Sequence, residues 1–262
     1  MNVPPDPSVV FQREGSVARI RFNRPHALNA VDASLAQAFR AACRSIEKDP
    51  AVRVVILSGE GRAFMAGGDI AQFRERPQSI SSSLIEPMHE GLLILTNLRA
   101  PVIASVHGAV AGGGMSLALA CDLVVAAEGT RFSFAYLALG TSCDLGASWT
   151  LPRLVGLRRA LDIAMCSEAI DAPTALRLGL INRVVPASAL GEETERLVAR
   201  LSCGPPLALG IVKRLMRESF DRDLPSQLSL ERDGFKTCAE THDFREGVSA
   251  FLEKRRASFQ GR

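Results

Sequence analysis

The sequence predicts an α/β fold, and three observations carry that prediction. Three short β-branched runs, VRVVIL at 52–57, PVIASV at 101–106 and DLVVAA at 122–127, are apolar on both alternating faces. Strands covered on both sides of a sheet read this way. Amphipathic segments precede the first two, at 32–48 and about 84–98, and helical patterns dominate after about residue 185. Alternation of this kind, followed by a helical run, is the signature of an α/β core with a helical appendage.

In chain order, the prolines of MNVPPDPSVVFQREG predict a short extended lead-in. SVARIRF at 16–22 alternates and predicts a half-exposed strand. The helix over 32–48 then leads to the strand at 52–57, and the helix over 84–98 to the strand at 101–106. Residues 79–83, nearly all serine, predict a polar loop. Residues 113–120 are small and apolar and predict a short buried helix ahead of the strand at 122–127. Four helices follow, over 189–202, 205–219, 226–239 and 244–256, with breaks at 221–225 and 241–243. Residues 1–190 thus form an α/β core and residues 191–262 a helical C-terminal region. Helices this short are unstable alone in water, so they must pack on the core or on another subunit, and a homo-oligomer is expected.

Composition narrows the class. The 262 residues are 47% hydrophobic and 23% charged, enough to bury a core without metals or disulfides. The net charge of +3 is spread over 31 basic and 28 acidic residues, with no basic stripe to mark a nucleic-acid partner. No apolar run reaches the roughly 18 residues of a membrane span, and the N-terminus lacks the basic-then-apolar pattern of a secretory signal. The six cysteines show no CxxC pair or metal-ligand spacing. They read as free thiols of a cytoplasmic protein.

Three segments concentrate chemistry. GEGRAFMAGGDI at 59–70 follows a strand, and its glycines let a ligand approach backbone N–H groups. HGAVAGGGMSLALA at 107–120 follows the next strand, and three glycines there open a buried helix whose first N–H groups are free. Met115 and Ser116 replace the Lys-Ser or Lys-Thr of a phosphate loop, and Leu117 replaces the third glycine of a dinucleotide fingerprint. Two glycine-rich turns on neighbouring strands can instead converge two amides on one oxygen, as an oxyanion hole requires. The third segment, FAYLALGTSCDLGASWTLPRLVGLRRA at 134–160, places Asp144 among apolar neighbours, where desolvation raises a carboxyl pKa and suits it to proton transfer.

Together these segments resemble the crotonase (enoyl-CoA hydratase/isomerase) superfamily, over nearly the whole chain. NRPHALNAVD at 23–32, AFMAGGDI at 63–70, HGAVAGGGMSLALACDLVVAA at 107–127, LGLINRVVP at 178–186 and FREGVSAFLEKR at 244–255 match its signatures in order. The resemblance implies a ClpP-like spiral of ββα units with a helical C-terminal trimerisation region, a homotrimer or dimer of trimers, and an acyl-CoA thioester substrate. It implies no cofactor or metal beyond the CoA moiety of that substrate. It places the oxyanion donors at the N–H groups of Gly68 and Gly113. Ala66, Asp69 and Ile70 match positions lining the CoA adenine pocket and its entrance, and Leu28 and Lys254 are further substrate-binding positions.

Within the superfamily the sequence departs from the hydratases, whose two glutamates are replaced by Ser116 and by Tyr136, the only tyrosine. Tyr136 thereby becomes a substrate-site residue, and Asp144 the single remaining carboxyl. Its segment is similar to that of the epoxyphenylacetyl-CoA isomerases, in which one aspartate shuttles a proton between carbons. An isomerase is therefore expected. Hydration with atypical acid/base residues is an alternative. His89 with Asp144 also matches the base and nucleophile of aryl-CoA dehalogenases, while His107 reads as a support for its own turn. A non-catalytic CoA-binding paralogue is the reading from a different class.

Overall fold

The strands expected on both sides of the two glycine segments form one sheet, with a second strip of short strands stacked beside it. A computed structural model describes residues 7–166 and 168–262; the extended lead-in expected at the N-terminus falls mostly on residues 1–6, outside them. In chain order the first half contains β1 (Val9–Glu14), β2 (Val17–Phe22), α1 (Ala33–Glu47), β3 (Val54–Gly59), α2 (Ile70–Glu75), α3 (Glu86–Asn97) and β4 (Val102–Val106). The middle adds β5 (Ala109–Ala111), α4 (Gly113–Ala120), β6 (Leu123–Ala127), β7 (Arg131–Ser133), α5 (Ala147–Val155), α6 (Leu157–Met165) and β8 (Ile170–Asp171). The last part is α7 (Ala172–Arg177), β9 (Arg183–Val185), α8 (Leu190–Ser202), α9 (Pro206–Arg217), α10 (Leu224–Ala239) and α11 (His242–Leu252).

The main sheet runs β1-β2-β3-β4-β6-β9, parallel except for the β1–β2 hairpin. The strip runs β5-β7-β8 and is extended by parallel bridges from Met65 to Val110 and from Gly68 to Val31. Each turn of the chain therefore gives one long strand to the sheet, one short segment to the strip, and then a helix. Residues 65–68, β5 and β7 are the successive short segments, so the two glycine turns end up side by side.

Burial explains why the sheet strands read as apolar on both faces. Val55, Leu57, Ala104 and Ala126 face the main core, whereas Val54, Ile56, Ile103 and Val125 face Leu197 and Val198 of α8. β2 differs as its alternation requires: Ala18, Ile20 and Phe22 are buried, while Arg19 pairs with Glu195 on α8. α1 starts where the Asp32 carboxylate caps the Leu35 amide at 2.8 Å. Its Leu35, Phe39, Cys43 and Ile46 recur at helical spacing on the buried face. α3 lies close against it, since a Cβ on Gly91 would stand 2.5 Å from the Phe39 ring.

Several elements differ from the sequence expectation. β1 is a strand although VVFQRE alternates poorly; pairing with β2 around Gly15, at φ 56°, forms it. The serine run at 79–83 is not a loop but winds into helical turns that lead into α3, with Ser83 Oγ donating to the Ser79 carbonyl at 2.6 Å. Residues 147–165 form two helices, α5 and α6, broken at Gly156. The final helix stops at Leu252 rather than 256, and Lys254 lies beyond it with φ 55°. Among the described residues no helix is long and apolar enough to cross a membrane.

Candidate functional site

The site grows from the strip. Met65 donates its amide to Ala109 and accepts from Ala111, which zips the 63–70 segment to β5. On the other side Val31 donates to Gly67 and accepts from Asp69. Gly68, between those two bonds, turns its own N–H away from Val31, towards the side where β5 and the Gly112–Gly113 turn lie. Phe73 of α2 closes over it: a Cβ on Gly68 would stand 2.2 Å from the ring, so a side chain there would have to displace Phe73.

The second turn approaches as closely. Gly112 has φ 50° and donates to Ser133 of β7, and α4 starts at the next residue. A Cβ on Gly112 would stand 3.6 Å from the Gly67 Cα, and one on Gly114 would lie 2.2 Å from the Met65 carbonyl oxygen. Gly113 is the first residue of a helix whose eight residues are all buried. Its amide belongs to the first turn and has no partner within the helix.

Asp144 faces this turn. Its Oδ1 would be 3.7 Å, and the Leu145 side chain 3.4 Å, from a Cβ on Gly113. The loop that presents it is conformationally constrained, with φ 49° at Leu145 and 72° at Gly146. His89 of α3 holds that loop: its Nε2 accepts the Leu145 amide at 3.0 Å. Nε2 is thus an acceptor and carries no proton in this arrangement. Burial raises the Asp144 carboxyl above its ordinary value, while a hydrogen bond from the Tyr136 hydroxyl opposes that rise.

Ser116 and Tyr136, at the positions where glutamates were expected to be missing, are buried and linked through their hydroxyls at 2.7 Å. Tyr136 stacks edge-on against Phe134 with ring centroids 5.0 Å apart. Burial first, then the Asp144 charge, pushes the phenol pKa up, so it remains protonated.

The remaining expected residues fall as follows. The Ala66 amide donates to the Leu28 carbonyl at 3.1 Å, placing both beside the first glycine turn. Asp69 caps α2 and pairs with Arg24 at 2.9 Å. Burial penalises its charge, but Arg24 and the amides of Gln72 and Ala71 outweigh that and hold its carboxyl below the usual range. Ile70 is exposed next to it. No hydrogen bond or ion pair among the described residues ties Lys254 to this cluster. His107 reaches out of its own turn, contrary to expectation: its Nε2 lies 2.9 Å from the Gly61 carbonyl of the first glycine segment. Sequence reasoning missed Arg24, which also pairs with Asp32 at 3.2 Å and so ties the 23–32 segment to the glycine turn. Arg24 and Asp69 stand 45 residues apart, so no local pattern signalled their pairing.

A cavity of about 670 Å³ between α3, α5, α9 and α10 abuts the Asp144 loop through Gly146, Trp149 and Thr150. Among the described residues no three His, Cys, Asp or Glu side chains group as metal ligands.

The arrangement has clear counterparts. The structure of an enoyl-CoA hydratase from Polaromonas sp. JS666 superimposes with a TM-score of 0.89 at 36% identity, covering 96% of this chain and 99% of that one. The architecture is therefore the crotonase fold. Residues 12–262 match the model of the family described as enoyl-CoA hydratase/isomerase. A probable enoyl-CoA hydratase of Rhodobacter capsulatus is 35% identical over 97% of this chain and 98% of its own length. A 1,2-epoxyphenylacetyl-CoA isomerase of Escherichia coli is 34% identical over 95% and 97%, respectively. The chain belongs to the enoyl-CoA hydratase/isomerase family, within the crotonase superfamily, and is an acyl-CoA enzyme.

Proposed function

We propose that the protein isomerises an acyl-CoA thioester by enolising it in an oxyanion hole and moving one proton with Asp144. The amides of Gly68 and Gly113 take the thioester oxygen as it gains charge; losing one such donor typically costs about 10²–10³ in rate. Asp144 removes a proton from the α carbon, the electrons move onto the oxygen, and the proton returns at the γ carbon. The double bond shifts and no atom is gained or lost. The observation that carries this reading is the Asp144 Oδ1 lying 3.7 Å from where a Gly113 Cβ would stand, so that acid and amide border one space. Burial supports the role, because a raised carboxyl exchanges protons closer to neutral pH.

In this reading Leu28, Ala66, Asp69 and Ile70 border the CoA, Tyr136 lies on the acyl side, and Lys254 contributes from the C-terminal region. The chemistry uses no cofactor beyond the CoA moiety. Exposed apolar residues on the helices, among them Leu157, Met216, Phe235 and Phe251, support assembly as a homotrimer or dimer of trimers. Free cysteines support the cytoplasm as its compartment.

Hydration is the second reading, favoured by the name of the Rhodobacter relative. Dehalogenation by Asp144 and His89 is disfavoured, because the His89 Nε2 is already engaged by Leu145. Mass spectrometry in heavy water with but-3-enoyl-CoA and but-2-enoyl-CoA separates these cases. An isomerase interconverts the two and incorporates deuterium at carbon. A hydratase adds the mass of water, and a CoA-binding paralogue does neither. Asp144→Asn is expected to abolish turnover while CoA-thioester binding persists; wild-type turnover in that variant overturns the reading.

A further inference from the structure

Ser116 and Tyr136 supply no carboxylate, yet they are buried together against the one acid of the site. The directions of their hydrogen bonds follow for the ionised carboxylate, the form that starts the reaction. An ionised aspartate only accepts, and a phenol has a single proton to give. Tyr136 therefore donates to Asp144 Oδ1, and Ser116 must donate to the Tyr136 oxygen at 2.7 Å. The Gly112 carbonyl, 3.2 Å from Ser116 Oγ, is the longer alternative. A one-way chain runs from Ser116 through Tyr136 to one oxygen of Asp144.

We infer that Tyr136, backed by Ser116, is the positioning residue that pins the Asp144 carboxyl beside the Gly113 turn while it takes and returns the substrate proton. The inference rests on the reading of Asp144 as the proton shuttle. The phenol is suited to this task because its ring is buried and packed on Phe134, so the hydroxyl cannot swing away. His89 holds the loop that carries the carboxyl by accepting the Leu145 amide. Tyr136, from the turn after β7, and His89, from α3, are the titratable groups that face the carboxyl. Of these, the Tyr136 hydrogen bond is the larger influence opposing burial, and it favours the ionised form that starts the reaction.

The test follows α-proton exchange into but-3-enoyl-CoA in heavy water, and its conversion to but-2-enoyl-CoA, across the acid limb of the pH profile. Tyr136→Phe keeps the ring and removes only the donor. A hydrogen bond to a charged group is strong enough that the acid limb is expected to move to higher pH by about one to two pH units. Below the shifted limb the rate falls about tenfold or more relative to wild type, and that loss shrinks as the pH rises through the limb. Ser116→Ala is expected to move the limb the same way by less. An acid limb that stays in place in Tyr136→Phe overturns the inference. If that variant does not fold, Ser116→Ala decides in the same way, since it retains the phenol and its packing. Asp144→Asn keeps the two failures apart: exchange that survives in it defeats the shuttle itself, whereas exchange lost in it beside an unmoved Tyr136→Phe limb defeats only the positioning role.

Discussion

Replacing Asp122 by asparagine removes the one negative charge from the clamp that holds α9 to the core. Oδ1 of Asp122 accepts from Arg217 Nε at 2.9 Å and Nη2 at 2.7 Å, and Oδ2 accepts from the Val102 amide at 2.8 Å. Lys213 completes the cluster 2.8 Å from Oδ2, with only 7% of its side chain exposed. Burial drives the Lys213 ammonium below its ordinary pKa, and Asp122 is the main influence holding it up. An asparagine leaves one oxygen and turns an N–H₂ against donors on the other side. Removing one partner of a buried pair costs about 3–5 kcal/mol. Lys213 keeps the Leu95 and Ala100 carbonyls, and Arg217 is partly exposed, so the lower figure, about 3 kcal/mol, applies. In a chain of this size that corresponds to a melting temperature lower by about 6–12 °C. Urea unfolding at fixed protein concentration, followed by the single tryptophan, Trp149 of α5, measures it directly. A loss below about 1 kcal/mol would refute the reasoning, since it would mean that the three charges are effectively hydrated.

Two further outcomes follow from the geometry. Gly113→Ala should fold as the wild type does, because its new methyl meets Leu145 at 3.4 Å and Asp144 at 3.7 Å, ordinary contacts. It intrudes on the space between amide and acid, and since misplacement by an ångström can cost about 10²-fold in rate, a melting curve beside a turnover assay should show stability kept and activity lost. The C-terminal residues should stay docked to α11 in moderately acidic solution. Hydrogen bonds from Arg255 and the Ser258 amide hold the Glu246 carboxyl down at about 2, against an ordinary 4.5. A depressed carboxyl stabilises fully above its unfolded value and loses that contribution as pH falls through its folded one. Hydrogen exchange at Ser258 should therefore rise only between those two values, and a rise already complete above 4.5 would contradict the pairing.

The sequence alone determined much of this molecule. Runs that are apolar on both faces can be stable only between two layers, so β3, β4 and β6 were legible, as were α1 and the C-terminal helices from their 3.6-residue periodicity. The two glycine turns were legible for a local reason, since backbone conformation and close approach are properties of the glycines themselves. Asp144 was legible as a carboxyl in an apolar stretch, and the family resemblance named its setting.

Other features depended on distant partners. β1 has no pattern of its own and exists because β2 lies beside it. Strands of two or three residues, such as β7 and β8, are too short to display a period. Arg24 reached Asp69 across 45 residues, and His89 reached Leu145 across 56. Ser116 and Tyr136 read in sequence as two losses, a pair of missing acids. Only folding, by bringing α4 against the turn after β7, joined their hydroxyls to the acid that remains. Periodicity and glycine placement are written along the chain, whereas the direction of a hydrogen bond between residues far apart in sequence is fixed by three-dimensional packing alone.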